Sequence, residues 1–259
     1  MAGFDPGQIK PMDKTPEGET ITAMVYGDPG VGKTTFVSYA PSLLLIETER
    51  GETSIYKTPN RPDLVHADTL DELAEIYLWL HTGNHNYKSV AIDTLTEASK
   101  RELARITHES SLKIPDKDPD RPTMPDYGKL SSRMSKMVRA FRDLPMHTFF
   151  LCHTRSDKDE ETGAVKVTPN LTPAVMSDAV AYCNAVFYLD VDKNGARTVR
   201  TQPSRKYIAK HRLGDLPDVV KFLPEELCRV DVFLDAMLRG IRFWEQKGDE
   251  LSSKKEEKK

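Results

Sequence analysis

The chain has 259 residues, of which 38% are hydrophobic and 30% charged, with a net charge of -3 at neutral pH. This length and composition suit one sizeable soluble α/β domain. The overall charge is slightly negative, so a case for nucleic-acid binding must rest on local patches of basic residues. No run of about 18 apolar residues is present to span a membrane. Three widely separated cysteines predict free thiols, so we expect a cytoplasmic protein with no membrane contact.

Short apolar segments alternate with amphipathic ones along the chain. We expect a flexible N-terminal arm at 1–19, one folded α/β domain at 20–247 and a disordered charged tail at 248–259. The apolar runs predict strands at 21–26, 43–47, 63–66, 88–92 and 147–153, and the amphipathic segments predict helices at 33–40, 70–81, 95–110 and 127–143. Buried strands separated by helices predict an α/β fold with a mostly parallel central sheet flanked by helices.

The pattern changes after residue 180. Two strand-like segments flank an Asn-Gly turn at 194–195, and a third follows, which predicts a C-terminal antiparallel extension of the sheet. A last amphipathic helix fits within 224–246. Residues 113–126 hold four prolines and four aspartates and predict a loop.

The stretch "GDPGVGKT" matches the phosphate-binding pattern G-x-x-x-x-G-K-[ST]. Gly27 and Gly32 let backbone N–H groups close around the β- and γ-phosphates, Lys33 adds positive charge there, and the Thr34 hydroxyl can hold Mg²⁺. The match lies between an apolar strand and a helix, whose N-terminus favours anions. We therefore expect ATP and Mg²⁺ as cofactors, bound by Gly27, Asp28, Pro29, Gly30, Val31, Gly32, Lys33, Thr34 and Thr35.

Carboxylates follow two of the other predicted strands. Asp93 ends "SVAID" and is the expected second Mg²⁺ ligand beside Thr34. Because Thr94 rather than a glutamate follows it, the base that orients the attacking water must come from elsewhere. The strand "LLLIETE" offers Glu49, with Glu47 as the alternative, because the carboxyl ends of parallel strands face a shared crevice.

The order of these elements resembles the RecA-like P-loop ATPase core over about residues 20–225, and most closely the short phage-type RecA-like ATPases of single-strand annealing and recombination. The resemblance implies that Glu49 is the catalytic glutamate, Asp93 the Mg²⁺ aspartate and His153 the polar sensor that follows the strand "FFLC". It also implies that 154–178 is a mobile DNA-binding loop, although acids crowd this segment and Arg155 and Lys166 are among its few cations.

The resemblance further implies that Lys210 and Arg212, two apart on a late strand, reach the ATP site of a neighbouring subunit and act catalytically there with Lys33 and Glu49. A solvated basic strand edge is the alternative. No separate N-terminal domain is recognisable, so we expect a homo-oligomeric ring, such as a hexamer, or a short filament.

Local charge supplies the case for nucleic acid. No acidic residue interrupts the basic ones between 193 and 212, and the helix near 127–143 adds further cations, although a solvated helix face would look the same. The predicted nucleic-acid contacts are Arg155, Lys166, Arg197, Arg200, Arg205 and Lys206.

These features predict a Mg²⁺-dependent RecA-like ATP hydrolase that acts on DNA, in single-stranded form, in recombination, annealing or repair. If the gene belongs to a bacteriophage, the protein would work in the host cytoplasm. The alternative is a P-loop ATPase that regulates or assembles other proteins without direct DNA contact. A small-molecule kinase ranks last, because the acidic segment 113–126 makes a poor phosphate-binding lid.

Overall fold

A computed structural model describes residues 20–49, 60–158, 163–212, 216–222, 226 and 228–239. The predicted arm at 1–19 and tail at 248–259 lie outside these residues. The strands are β1 Thr22–Gly27, β2 Leu43–Glu47, β3 Asp63–His66, β4 Ser89–Asp93, β5 His147–Cys152, β6 Thr154–Lys158, β7 Val165–Pro169, β8 Ala185–Val191, β9 Arg197–Arg200, β10 Lys210–His211 and β11 Val219–Phe222. The helices are α1 Lys33–Val37, α2 Leu70–Thr82, α3 Leu95–Ser111, α4 Met124–Arg142, α5 Pro173–Tyr182 and α6 Asp231–Arg239.

Within these described ranges, nine strands form one sheet in the order β3-β2-β4-β5-β1-β8-β9-β11, with β10 paired to β8. The six strands from β3 to β8 run parallel, whereas β9, β10 and β11 pair antiparallel to their neighbours. The predicted mostly parallel sheet with an antiparallel C-terminal extension is therefore confirmed.

Each central strand is buried on both faces, as expected of a parallel sheet between helices. Along β1, Met24 and Tyr26 face the core that α2, α3, α4 and α5 cover, while Ala23 and Val25 face the core that α1 and α6 cover. The helix α2 begins at a capping box, in which the Thr69 side chain accepts from the Glu72 N–H and Glu72 caps the Thr69 N–H. None of the described helices is both long enough and apolar enough to cross a membrane.

Helix α4 corrects the predicted loop at 113–126. It begins at Met124 because Thr123 and Asp126 form a capping box and Pro125 occupies the first turn. The buried Asp126 carboxylate also accepts from Lys117 Nζ at 2.5 Å, which fixes the preceding connection. The prolines are therefore compatible with a helix start, and only the part before Met124 is a loop.

The predicted mobile loop at 154–178 is also wrong. Strands β6 and β7 pair antiparallel as a separate two-stranded ribbon, with Thr154 opposite Pro169 and Lys158 opposite Val165. The helix α5 then begins at Pro173, whose fixed φ suits the first helical position. Residues 159–162, which contain most of the acids of this segment, lie outside the described part of the chain.

Candidate nucleotide site

The functional side chains meet at the carboxyl edge of the parallel strands. In register, Glu47 at the end of β2 lies opposite Asp93 at the end of β4, and Tyr26 near the end of β1 lies opposite Cys152 of β5. The strand β5 lies between β1 and β4. His153, which follows β5, is therefore flanked by the loop that follows β1 and by Asp93 at the end of β4. This edge is where parallel α/β sheets form their ligand crevices.

The loop between β1 and α1 has the backbone that phosphate binding requires. Gly32 immediately precedes α1 with φ 100°, a left-handed conformation that L side chains rarely adopt. A Cβ at Gly27 would lie 2.5 Å from the carbonyl oxygen of Leu189, so only glycine allows β1 to pass this close to β8. Both glycines of the motif are thus needed for conformation and for space.

Lys33 lies folded over this loop and is only 6% exposed. Its ammonium donates to the carbonyl oxygens of Gly27 at 3.0 Å and Asp28 at 3.1 Å. Burial lowers the pKa of Lys33, and the nearby carboxylate of Asp93 works against that shift. The ammonium therefore lies at the centre of the loop, where incoming phosphate oxygens could replace the carbonyl groups.

The two expected Mg²⁺ ligands are in direct contact. Thr34 Oγ1 donates to Asp93 Oδ2 at 2.6 Å. Burial raises the pKa of Asp93, and the hydrogen bond from Thr34 opposes that shift. A hydroxyl and a carboxylate are hard oxygen donors that suit Mg²⁺, which normally takes its remaining ligands from water and substrate phosphates. The residues present therefore fit the ion.

Glu49 is held by two neighbours. Thr94 Oγ1 donates to Glu49 Oε1 at 2.6 Å, and His153 Nε2 lies 2.8 Å from the same oxygen. Burial alone would raise the pKa of Glu49, but the bonds from Thr94 and His153 outweigh burial and lower the pKa. Thr48 secures the backbone, because it accepts from the Thr94 N–H at 2.9 Å and donates to the Thr94 carbonyl at 2.8 Å. The carboxylate is therefore ionised and aimed into the crevice.

Glu47, the alternative base, lies in the same crevice but is more buried. It is 6% exposed, and its Oε2 lies 3.3 Å from Nδ1 of His66 on the neighbouring β3. Glu49 is the better placed of the two for chemistry, because it contacts His153 and Thr94 at the mouth beside Asp93.

A cavity of about 270 Å³ joins these groups. One lining residue is unexpected. Arg197, the first residue of β9, was predicted from the sequence to contact nucleic acid. The sequence signal for this position is the Asn-Gly turn just before Arg197. The turn predicts that a strand begins there, but it does not predict which loop that strand approaches. The cavity is lined by Pro29, Gly30, Gly32, Lys33, Thr34, Thr35, Glu47, Glu49, Asp93, Thr94, His153 and Arg197.

Lys210 and Arg212 do not reach this cavity within their own chain. The two-residue strand β10 pairs with Ala185 and Val186, at the start of β8 and thus at the opposite end of the sheet. Arg212 is exposed and donates to the carbonyl of Ala181 at the end of α5 at 2.9 Å. Burial lowers the pKa of Lys210, and the neighbouring Arg212 charge lowers it further. Any contact of this pair with nucleotide must therefore come from a second copy.

The predicted nucleic-acid residues do not form one surface. Arg197 lines the nucleotide cavity, and Arg200 is half-buried with its guanidinium 5.0 Å from the ring centre of Tyr207. Arg155 is exposed but paired with Asp157 at 2.8 Å. The remaining three, Lys166, Arg205 and Lys206, are exposed on or beside the ribbon.

Fold and site together define a P-loop NTPase. A glycine-rich phosphate loop, the buried Lys33 and the Thr34–Asp93 pair that suits Mg²⁺ lie at the carboxyl edge of a mostly parallel sheet. Residues 19–213 match the family model described as "AAA domain", and because that is well over half of the chain, the protein belongs to this family. No curated protein matches it. Among solved structures, it is similar to one described as the crystal structure of the RadB recombinase, with 15% identity, 78% of this chain and 86% of that chain covered, and a TM-score of 0.46.

Proposed function

We propose that the protein is a Mg²⁺-dependent ATP hydrolase that acts on single-stranded DNA as a homo-oligomer, in recombination, annealing or repair of the phage type. The observation that carries this proposal is the direct bonding of the nucleotide crevice to a ribbon beside which Lys166, Arg205 and Lys206 are exposed.

Hydrolysis uses residues already held in place. The loop amides and Lys33 bind the β- and γ-phosphates, and Thr34 with Asp93 hold Mg²⁺, which supplies charge neutralisation at the phosphate oxygens. Glu49 orients the attacking water and accepts its proton. His153 bonds the same carboxylate oxygen of Glu49, so it is placed to respond to the state of the crevice.

Both strands of the ribbon join the body beside this crevice, where Thr154 pairs with Pro169. Thr154, the first residue of β6, donates from its hydroxyl to the Asp28 carboxylate of the phosphate loop. After β7, the N–H of Asn170 donates to the carbonyl of His153 at 2.8 Å. A shift of Asp28 or His153 on nucleotide binding would therefore be transmitted directly to β6 and β7.

Three of the predicted nucleic-acid residues are exposed, Lys166 on β7 and Arg205 and Lys206 on the segment that contacts β7. The N–H of Val167 donates to the carbonyl of Lys206 at 2.6 Å, and Val167 bridges to Tyr207, so Lys166 and Lys206 lie on adjacent backbones. Beside the ribbon lies a cavity of about 540 Å³ whose lining includes Lys100, Tyr127 and Arg155. Cations around an exposed aromatic ring suit unpaired bases and their phosphates.

The experiment is ATPase activity measured with and without single-stranded DNA. We expect stimulation of the wild type and its loss in the triple variant Lys166→Ala, Arg205→Ala, Lys206→Ala, because the phosphate-binding surface is removed. The salt dependence of DNA affinity should become shallower by a slope of about 2, since each lost phosphate contact on a single strand removes roughly 0.7.

The matched control is Lys88→Ala, Lys113→Ala, Arg121→Ala, which removes the same charge from exposed positions before β4 and between α3 and α4. It should keep both stimulation and salt slope. If single-stranded DNA leaves the wild-type rate unchanged and does not bind, the DNA part of the proposal fails and the alternative of a protein-directed ATPase is favoured.

The proposal that the ATPase works as an oligomer is tested separately through Arg212. This residue can contact nucleotide only from a neighbouring copy. Arg212→Ala should bind ATP nearly normally and hydrolyse it about a thousandfold more slowly or worse, the usual loss for a missing arginine finger. Mixing it with Glu49→Gln should restore part of the activity, because some interfaces would pair an intact Glu49 with an intact Arg212. Absence of recovery at every mixing ratio, with co-assembly demonstrated, would contradict a role in trans.

A further inference from the structure

The β8–β9 turn brings Arg197 to the same edge of the sheet as the phosphate loop. In register, Leu189 of β8 lies opposite Gly27 of β1, and two residues later Val191 lies opposite Arg197. The chain turns back between them through Asn194 and Gly195, so Arg197 begins β9 at the level of the loop. Its position follows from backbone pairing and does not depend on the side-chain conformation.

The side chain of Arg197 lies over the first turn of α1. Its Nε would be only 3.1 Å from a Cβ placed on Gly32, the residue just before the helix. It lines the same cavity as Lys33 and Thr34 and is half-buried. A second cation therefore faces the loop from within the same chain.

The Arg197 guanidinium is unpaired within the described part of the chain, although the carboxylates of Glu47, Glu49 and Asp93 line the same cavity. Among the described residues, Arg197 forms no ion pair, hydrogen bond or aromatic contact, in contrast to Arg155 with Asp157. The two acids of its own hairpin bond elsewhere: Asp190 accepts from the Val191 N–H at 2.8 Å, and Asp192 accepts from backbone N–H groups and from Lys221 Nζ at 2.5 Å. A half-buried guanidinium next to amide-rich glycine backbone suits an anionic ligand.

The strand order separates Arg197 from the metal pair. With β5 and β4 on one side of β1 and β8 and β9 on the other, Asp93 and Glu49 approach the loop from one flank and Arg197 from the opposite flank. Hydrolysis takes place at the flank of Glu49 and Asp93. Arg197 therefore approaches the phosphate loop from the flank opposite to these two carboxylates.

We propose that Arg197 is a nucleotide-phosphate ligand supplied by the chain's own β9, which binds the diphosphate common to ATP and ADP and takes no part in DNA contact. This inference rests on the proposed nucleotide site. It differs from an arginine finger, because it acts within one subunit and in the ground state, so it contributes to affinity for both nucleotides equally.

The test is calorimetric titration of the full chain with Mg·ADP and with a non-hydrolysable ATP analogue. Arg197→Ala should weaken both affinities by the same factor, about tenfold to a hundredfold, as expected for a lost hydrogen bond to a charged group. Arg197→Lys should recover part of this, because charge remains without the planar fork. The control is Lys193→Ala, an exposed cation of the same hairpin, which should bind both nucleotides like the wild type.

The outcomes separate this inference from the site on which it rests. If the wild type binds neither nucleotide, the proposed ATPase fails, and the role of Arg197 fails with it. If the wild type binds both and Arg197→Ala binds them equally well, only the role of Arg197 is overturned. Weakening for the ATP analogue alone would also overturn it, in favour of a γ-phosphate contact. Equal melting temperatures of all variants without nucleotide show that folding is not the cause.

Discussion

Glu49→Gln is expected to leave nucleotide affinity close to that of the wild type and to lower the hydrolysis rate by about a hundredfold to ten-thousandfold, the range for loss of a general base. The amide has the same shape as the carboxylate and can still bond Thr94, but it cannot accept the proton of the attacking water. Single-turnover hydrolysis with a parallel binding titration separates the two effects. The lowered pKa of Glu49 keeps the wild-type carboxylate ionised well below neutrality, so the base is not titrated under ordinary assay conditions.

Glu47→Gln is the matched control, because Glu47 lines the same cavity two residues earlier, at the end of β2. Its carboxylate lies beside His66 and away from His153, so the substitution should reduce the rate far less than Glu49→Gln. If Glu47→Gln stops turnover and Glu49→Gln does not, the assignment of the base is off by two residues.

Those parts of the site that depend on neighbouring residues could be predicted from the sequence. The phosphate loop is eight consecutive residues whose glycines, lysine and threonine each have a local reason, and the structure shows the expected strand-loop-helix around them. The roles of Asp93 and Glu49 could be predicted for a similar reason. Both follow short apolar strands, and the carboxyl ends of parallel strands meet whatever their separation along the chain.

Arg197 could not be predicted because its position depends on long-range pairing. Its guanidinium lies beside Gly32, a residue 165 positions earlier, as the numbering shows. That contact requires β8 to pair with β1 on the side away from β5, and β9 to pair with β8 in one register. Counting charge along the chain placed Arg197 with Arg200, Arg205 and Lys206, whereas strand pairing distributes these residues over separate environments.

The ribbon of β6 and β7 was missed by the prediction from sequence for a different reason. The resemblance predicted a mobile loop between 154 and 178, yet Val165 and Val167 alternate as in a strand, and Thr172-Pro173 is a helix start. A two-stranded ribbon is marginal by itself. Here it is joined to the body by the bond of Thr154 to Asp28 and by the backbone bond of Val167 to Lys206, both of them contacts between residues distant in the sequence.

Lys33→Met should abolish measurable nucleotide binding while the protein stays folded. The ammonium is almost fully buried and, among the described residues, is bonded to two carbonyl groups, so the volume-conserving methionine removes the charge and leaves the packing. The phosphates would then enter a buried loop without their main cation. Loss of one partner from a buried charge pair costs about 3–5 kcal/mol, which corresponds to roughly a hundredfold to several thousandfold in affinity.

The measurement is the rise in melting temperature produced by Mg·ADP, together with a calorimetric titration. A ligand that binds only the folded state stabilises it by an amount set by its concentration relative to Kd, so the shift should vanish in Lys33→Met at concentrations that give a clear shift in the wild type. Lys88→Met, at an exposed lysine just before β4, is the control and should keep the full shift. Because the Lys33 ammonium is desolvated without nucleotide, its removal should leave the unliganded melting temperature near or above that of the wild type. An undiminished shift in Lys33→Met would mean that the cavity at the end of β1 is not where phosphates bind.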